Sequence, residues 1–224
     1  YDQNDNEVSH IYNIEIHVGT LTTRKRDLKV RYRSNSWVFD GEYHSDGLIE
    51  GTLPDGGTNL AETDEIILFE ETPSVYFVGQ YDNFADFYIS HKGIDVSSYY
   101  NFPTYEEMKG NLEITKRQIS IDFNLPQSRM YDGTVTPITE DMVSFESDNF
   151  NLENYNINYG FNYGEIALYQ EGGYDLEILG LNISDKDGND LTSNFEFVTR
   201  SNNALYQAGE NISLGHVDIH KRPI

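Results

Sequence analysis

Gly110-Asn111-Leu112-Glu113-Ile114-Thr115-Lys116-Arg117 is the stretch from which the fold can be read, because its pattern occurs twice more. The other copies are Gly19-Thr-Leu-Thr-Thr-Arg-Lys25-Arg26 and Gly215-His-Val-Asp-Ile-His-Lys221-Arg222. Each is Gly, any residue, an aliphatic, three further residues, then Lys-Arg. Side chains alternate across a strand, so Leu112 and Ile114 share one sheet face while Asn111, Glu113 and Thr115 share the other. The same parity turns Val217 and Ile219 inward in the third copy. The glycine suits a turn or bulge where this strand begins.

Two more patterns recur in the same order around it. Upstream lie Glu7-Val8-Ser9-His10-Ile11-Tyr12-Asn13, Asp95-Val96-Ser97-Ser98-Tyr99-Tyr100-Asn101 and Asp190-Leu191-Thr192-Ser193-Asn194-Phe195-Glu196. Downstream of the first two lie Trp37-Val38-Phe39-Asp40-Gly41 and Arg129-Met130-Tyr131-Asp132-Gly133. The Asp-Gly pairs are about 92 residues apart and the first two Lys-Arg pairs about 91, which sets the repeating unit. Residues 27–117 then form one module and 118–224 a longer second one, with 1–26 as the closing strands of a preceding, partial module. A unit of this size matches an immunoglobulin-like sandwich. No Gly/Ser- or Pro-rich linker separates the units, so the reading is tandem sandwiches joined end to end in a stiff rod.

The local signals are those of an all-β chain. Leu28–Arg33, Leu112–Ile114 and Ile119–Phe123 alternate, and Val75–Val78, Phe87–Ile89 and Phe195–Val198 are short β-rich runs. Asp40-Gly41, Pro54-Asp55-Gly56-Gly57, Asp132-Gly133, Gly172-Gly173 and Asp187-Gly188 read as turns. Only Tyr105–Lys109 and Thr139–Val143 suggest single helical turns. The 17 Tyr and 12 Phe against 3 Met agree with sheets.

Composition narrows function by exclusion. With 38 acidic against 15 basic residues, the formal charge of −23 disfavours nucleic acid and anionic membranes. The absence of cysteine removes disulfides, zinc ribbons and thiol catalysis. No apolar run approaches the roughly 20 residues of a membrane span. No signal peptide is present and the chain opens at Tyr1, which reads as a mature or excised piece.

The order of an opening strand, an aromatic-Asp-Gly step, an Asp-x-x-Gly-x-Asp-Val-Thr-x-x-Tyr hairpin and a closing Gly-x-Leu-x-Ile-x-Lys-Arg strand resembles the MBG/YDG-type immunoglobulin-like repeats of bacterial surface adhesins. The matching pieces are Phe39-Asp40-Gly41, Lys92–Tyr100 and Gly110–Arg117, then Tyr131-Asp132-Gly133, Asp185–Phe195 and Gly215–Arg222. Residues 59–72 and 140–175 depart from the pattern as long acidic or aromatic insertions. The resemblance implies a non-catalytic, extracellular stalk or adhesion region at a bacterial cell surface, with neighbouring modules as partners. Two other readings stay open: a glycan- or host-protein-binding module that uses its aromatic insertions, and an accessory domain of a secreted polysaccharide-degrading enzyme.

Candidate chemistry is sparse. There is no Gly-x-Ser-x-Gly, His-Glu-x-x-His or phosphate-binding glycine loop, and no catalytic residue or obligatory cofactor is assigned. Asp185, Asp187, Asn189 and Asp190 place four oxygen-bearing side chains close together, a candidate calcium site, although a hairpin turn explains the same residues and no downstream bidentate Glu follows. His216, Asp218 and His220 share a strand face, with neighbours about 6.6 Å apart, and read as a polar outer surface. Trp37, Tyr155, Tyr159 and Tyr163 are the candidate contact residues, since exposed Trp and Tyr stack on sugars and make adaptable contacts. The alternative for Trp37 is an ordinary packing role, at the module junction among other places, and for the tyrosines a strand pair carrying Tyr on its outer face. A Lys–Asn isopeptide bond would suit a cysteine-free stalk, but it requires a buried Lys, Asn and acid in contact.

Overall fold

The computed structural model describes residues 4, 19–126, 128–166 and 172–223. It is built from β-strands. In the N-terminal half these are β1 (Arg26–Asp27), β2 (Val30–Tyr32), β3 (Asn35–Val38), β4 (Ile49–Gly51), β5 (Asp64–Leu68), β6 (Gly79–Asn83), β7 (Phe87–His91), β8 (Ile94–Asp95), β9 (Tyr100–Asn101) and β10 (Gly110–Thr115). The C-terminal half has β11 (Arg117–Phe123), β12 (Arg129–Met130), β13 (Thr136–Pro137), β14 (Val143–Glu146), β15 (Asn156–Phe161), β16 (Glu165–Ile166), β17 (Gly172–Ser184), β18 (Phe195–Thr199), β19 (Leu205–Tyr206) and β20 (Ile212–His220). Among the described residues, strand pairing stays within each half. The expected helical turns are present, α1 (Tyr105–Met108) and a 3-10 turn at Glu140–Met142. The first is capped by Glu107, whose carboxylate accepts the Thr104 N–H at 2.8 Å.

The internal repeat reappears as strand register. In the N-terminal half β1 runs parallel to β9, with Arg26 opposite Tyr100, and in the C-terminal half β11 runs parallel to β18, with Arg117 opposite Phe195. The aromatic-Asp-Gly strand pairs in parallel with the closing strand in both halves, Trp37 opposite Ile114 and Arg129 opposite Ile219. These are the residues that the sequence patterns align with one another. The boundary moves by one position: Arg26 and Arg117 belong to the opening strand of the following unit, leaving only Lys116 between β10 and β11.

The C-terminal half is sandwich-like. One sheet has the order β14-β11-β18-β19 and the other β12-β20-β17-β15. Ile119, Ile121, Phe195 and Phe197 from the first pack with Leu176, Ile178, Leu181, Ile183, Ile212, Leu214, Val217 and Ile219 from the second. The two long strands each change parity once. β17 buries Leu176 and Ile178, then Leu181 and Ile183 beyond Gly180 at φ +61°. β20 buries Ile212 and Leu214, then Val217 and Ile219 beyond Gly215 at φ +139°. Glycine accepts these backbone angles without the steric cost of a side chain, so a bulge returns apolar residues to the core. Gly215 thus lies inside its strand, whereas Gly110 opens β10 and is required for another reason. A Cβ there would overlap the Arg33 carbonyl oxygen.

Several expectations are corrected. Val75–Val78 is not a strand: Val75 makes an isolated bridge to His44, Tyr76 packs partly buried against Phe39, and Phe77 is exposed. Gly172-Gly173 is no turn but the start of β17, opposite Ile219 and Asp218, and the His216 ring covers Gly173 where a Cβ would stand. The insertions contribute strands. β5 lies within 59–72, while β14 and β15 within 140–175 form the edges of the two C-terminal sheets. Residues 19–25 are exposed and form no strand. Apart from Asn4, residues 1–18 of the expected partial module lie outside the described residues.

Candidate functional site

The repeated hairpin explains its own sequence. Asp95 and Asp190 each accept the backbone N–H two residues on, from Ser97 and Thr192, at 2.9 Å. The Ser97 and Thr192 hydroxyls then accept the N–H of Ile89 and Ile183, again at 2.9 Å. Between them Val96 and Leu191 donate their N–H to the carbonyls of the same isoleucines at 2.8 Å. The Asp-apolar-Ser/Thr triplet is therefore a latch that fastens a 3-10 turn to the preceding strand and satisfies its backbone. Both aspartates are held below the usual carboxylate range, first by the side-chain hydroxyl of Ser97 or Thr192 and then by its backbone N–H.

The candidate calcium residues sit in the loop before the second latch. The Asp185 carboxylate accepts the backbone N–H of Asp187 at 3.0 Å and of Asn189 at 2.8 Å, and the Asn189 side-chain amide at 2.7 Å. These bonds, led by the Asn189 side chain, hold Asp185 below its ordinary pKa. Asp190 is directed to Thr192 instead. Among the described residues no group of three or more His, Asp or Glu side chains is arranged to hold a metal. The arrangement is that of a turn stabilised by its own side chains.

The candidate aromatics do not form one surface. Trp37 is half-buried and stacked on His44 with ring centroids 4.8 Å apart, and His44 in turn meets Asp40 at 2.9 Å. Tyr155 stacks on Phe150 at 5.0 Å and reaches Gly41 of the N-terminal half with its hydroxyl end. Tyr159 packs against Phe145 and Phe161. Tyr163 is 38% exposed and meets Tyr174 edge-on. Alternation along β15 is observed, but with the opposite sense to a Tyr-bearing outer face. Ile157, Tyr159 and Phe161 pack on the core while Asn156, Asn158 and Gly160 are exposed. Burial of apolar rings outweighs the small gain from leaving a phenol hydroxyl in water.

On β20 the polar face is as expected. His216 lies between two carboxylates, Nδ1 at 2.6 Å from Asp175 and Nε2 at 3.2 Å from Asp218. Asp175 first, and Asp218 second, raise its pKa above the ordinary 6.5. His220 is exposed at the end of the strand.

What sequence reading missed is the contact between the halves. Phe39, 1% exposed, packs edge-on against Phe195 with centroids 5.3 Å apart and also meets Phe150. Asn194 of the second latch accepts the N–H of Val78 at 2.9 Å. Arg117 donates to the carbonyls of Phe39 and Asp148 and lies over the Phe150 ring. Phe39, Val75, Leu112 and Ile114 thereby belong to the same buried cluster as the whole C-terminal core. The recurrence of an aromatic before Asp-Gly was the available signal, but Tyr131, its counterpart, is 36% exposed. No helix among the described residues is long and apolar enough to cross a membrane. Comparison with protein-family models, with curated proteins and with solved structures yields no match to the chain.

Proposed function

We propose that this chain is a non-catalytic, extracellular stalk and adhesion region of a bacterial surface protein, made of tandem immunoglobulin-like β-sandwich modules. The observation that supports this reading most is the junction. Only Lys116 separates the last strand of one half from the first strand of the next, and a single buried cluster runs across the boundary. Such a joint resists bending, because rotating one module would expose Phe39 and Phe195 and break the Val78–Asn194 bond. A projecting rod needs that stiffness, whereas a hinged pair of binding domains does not. The net charge of −23 suits a surface array, keeping neighbouring copies apart and soluble. Calcium as a structural ion and the insertions as glycan or host-protein contacts belong to the same reading as further proposals.

The test of placement is direct. Antibodies against residues 27–224 are expected to label intact, unpermeabilised cells that express the protein, and external protease is expected to remove the epitope. Labelling that appears only after lysis would overturn the proposal.

A further inference from the structure

The stretch that sequence alone reads as a strand, Val75–Val78, instead holds an aromatic ledge against solvent. Val75 is tied on both sides to His44, at 2.9 and 2.8 Å. Val78 is tied to Asn194 at 2.9 Å, and the Tyr81 hydroxyl donates to the Phe77 carbonyl at 2.9 Å. With both ends fixed, Phe77 is left 54% exposed and the neighbouring Tyr43 72% exposed. Together with Pro73, Tyr76 and Tyr81 they line an open trough of about 420 Å³, with Asp82 at its margin. Large exposed rings grouped on a rigid backbone mark an interaction site more often than scattered single ones do.

The shape and charge of the trough narrow its occupant. Tyr43 and Tyr76 meet at 4.9 Å with their planes 42° apart, and Tyr76 and Phe77 at 4.9 Å with planes 84° apart. The surface is therefore ridged, not the flat platform on which a sugar ring stacks. Ridges of aromatic rings receive the pyrrolidine rings of an extended polyproline segment, which reaches the site already ordered. The surroundings are acidic. Asp185, Glu42 and Asp40 all act on the Tyr76 hydroxyl, which burial and these charges hold above its ordinary pKa. Of the nearby cations, Lys109 is occupied by Asp82 and Glu106 at 3.2 Å each, and Arg117 is bonded to backbone carbonyls. Asp82 and Asp40 are already paired, with Lys109 and His44. Glu42 and Asp185, which also act on Tyr76, form no ion pair among the described residues, so a cation brought by the ligand meets these two carboxylates and exposed ring faces.

We propose that this trough docks an extended, proline-bearing segment of a partner protein that carries Lys or Arg beside its prolines. The proposal does not depend on the cell-surface reading, because it rests on the trough alone.

The experiment titrates the full chain with a short peptide of repeated Pro-Pro-Lys triplets while following backbone amide shifts and heat. The expected result is saturable binding, shifts centred on Tyr43 and residues 73–82, and affinity reduced about tenfold or more by Tyr43→Ala and by Phe77→Ala. A Pro-Pro-Glu peptide is expected not to bind. Shift mapping on the unaltered protein decides the matter if Phe77→Ala fails to fold. The proposal is overturned if the Pro-Pro-Lys peptide does not saturate, or if a Gly-Gly-Lys peptide of equal charge binds as well. It is also overturned if the shifts fall elsewhere, or if soluble oligosaccharides occupy the trough while the peptide does not.

Discussion

The two halves carry the same latch and the same parallel register, yet they are stabilised differently. The C-terminal half closes two four-stranded sheets around one continuous core. The N-terminal half divides its sheet among smaller pieces and its core between two places. Leu28, Val30, Ile89, Tyr100 and Met108 form a small separate cluster, while Phe39, Val75, Leu112 and Ile114 join the core of its neighbour. A repeat unit need not be a self-sufficient domain. Here the N-terminal unit relies on the next unit for a share of its burial, as in arrays where interfaces between neighbours supply stability.

The sharpest way to break that contrast is Phe39→Ala. Removing a buried ring that touches Phe195 and Phe150 should cost about 3–5 kcal/mol, and the loss should appear as separate unfolding of the N-terminal half in urea. A single transition displaced by less than about 1 kcal/mol would show the halves to be independent of this contact.

Next in size is a pair of glycine substitutions. Gly110→Ala sets a methyl group against the Arg33 carbonyl, a backbone atom that cannot step aside, and should cost about 1–3 kcal/mol. Gly173→Ala meets side-chain atoms, the His216 ring and the Asp218 carboxylate, which can shift, and should cost less, about 1 kcal/mol or below. Equal effects in chemical denaturation would remove the distinction between close approach and mere coverage.

The two latches should also differ. Thr192 is buried whereas Ser97 is only partly so. Thr192→Val leaves the Ile183 N–H without its acceptor and should cost about 1–3 kcal/mol, with Ser97→Ala costing less because water can replace the hydroxyl. The reverse order would sink the latch account.

The smallest effects are electrostatic and run in opposite directions with pH. Asp64 is held below its ordinary 3.8 by the Tyr100 hydroxyl first and His91 second. Its contribution is complete above the usual carboxylate range and fades as pH falls through its own lowered value. His216 is raised above 6.5, so its contribution is complete below 6.5 and fades as pH rises through the raised value. Titration of His216 by NMR should give a pKa above 6.5 that drops in Asp175→Asn more than in Asp218→Asn. A wild-type value at or below 6.5 would contradict the geometry.

The all-β character and the repeat register were legible because their signals are local. The alternation of Leu112 and Ile114, the Asp-Gly turns and the Asp-apolar-Ser/Thr triplet each act within a few residues, and their recurrence aligned residues that the structure places in equivalent register. What escaped depended on distant partners. The run Val75–Val78 is apolar enough for a strand, but Asn194 takes its final N–H. Gly172-Gly173 has turn composition, yet a cross-strand histidine covers it. Tyr155 and Tyr159 look like surface tyrosines until the sheet they face is known. Phe39 and Tyr131 occupy the same place in the repeat, but Phe39 is buried against Phe195 and Phe150 of the other half whereas Tyr131 is 36% exposed.

The central claim is that the halves move as one body. The chain has no cysteine, so spin labels can be placed cleanly through Glu62→Cys and Ser201→Cys, both at exposed positions in opposite halves. Pulsed electron-spin distance measurement should return a single narrow distribution that broadens when Phe39→Ala is added. A broad distribution in the otherwise unaltered chain would mean that the halves hinge freely, and the stiff-stalk account would fail.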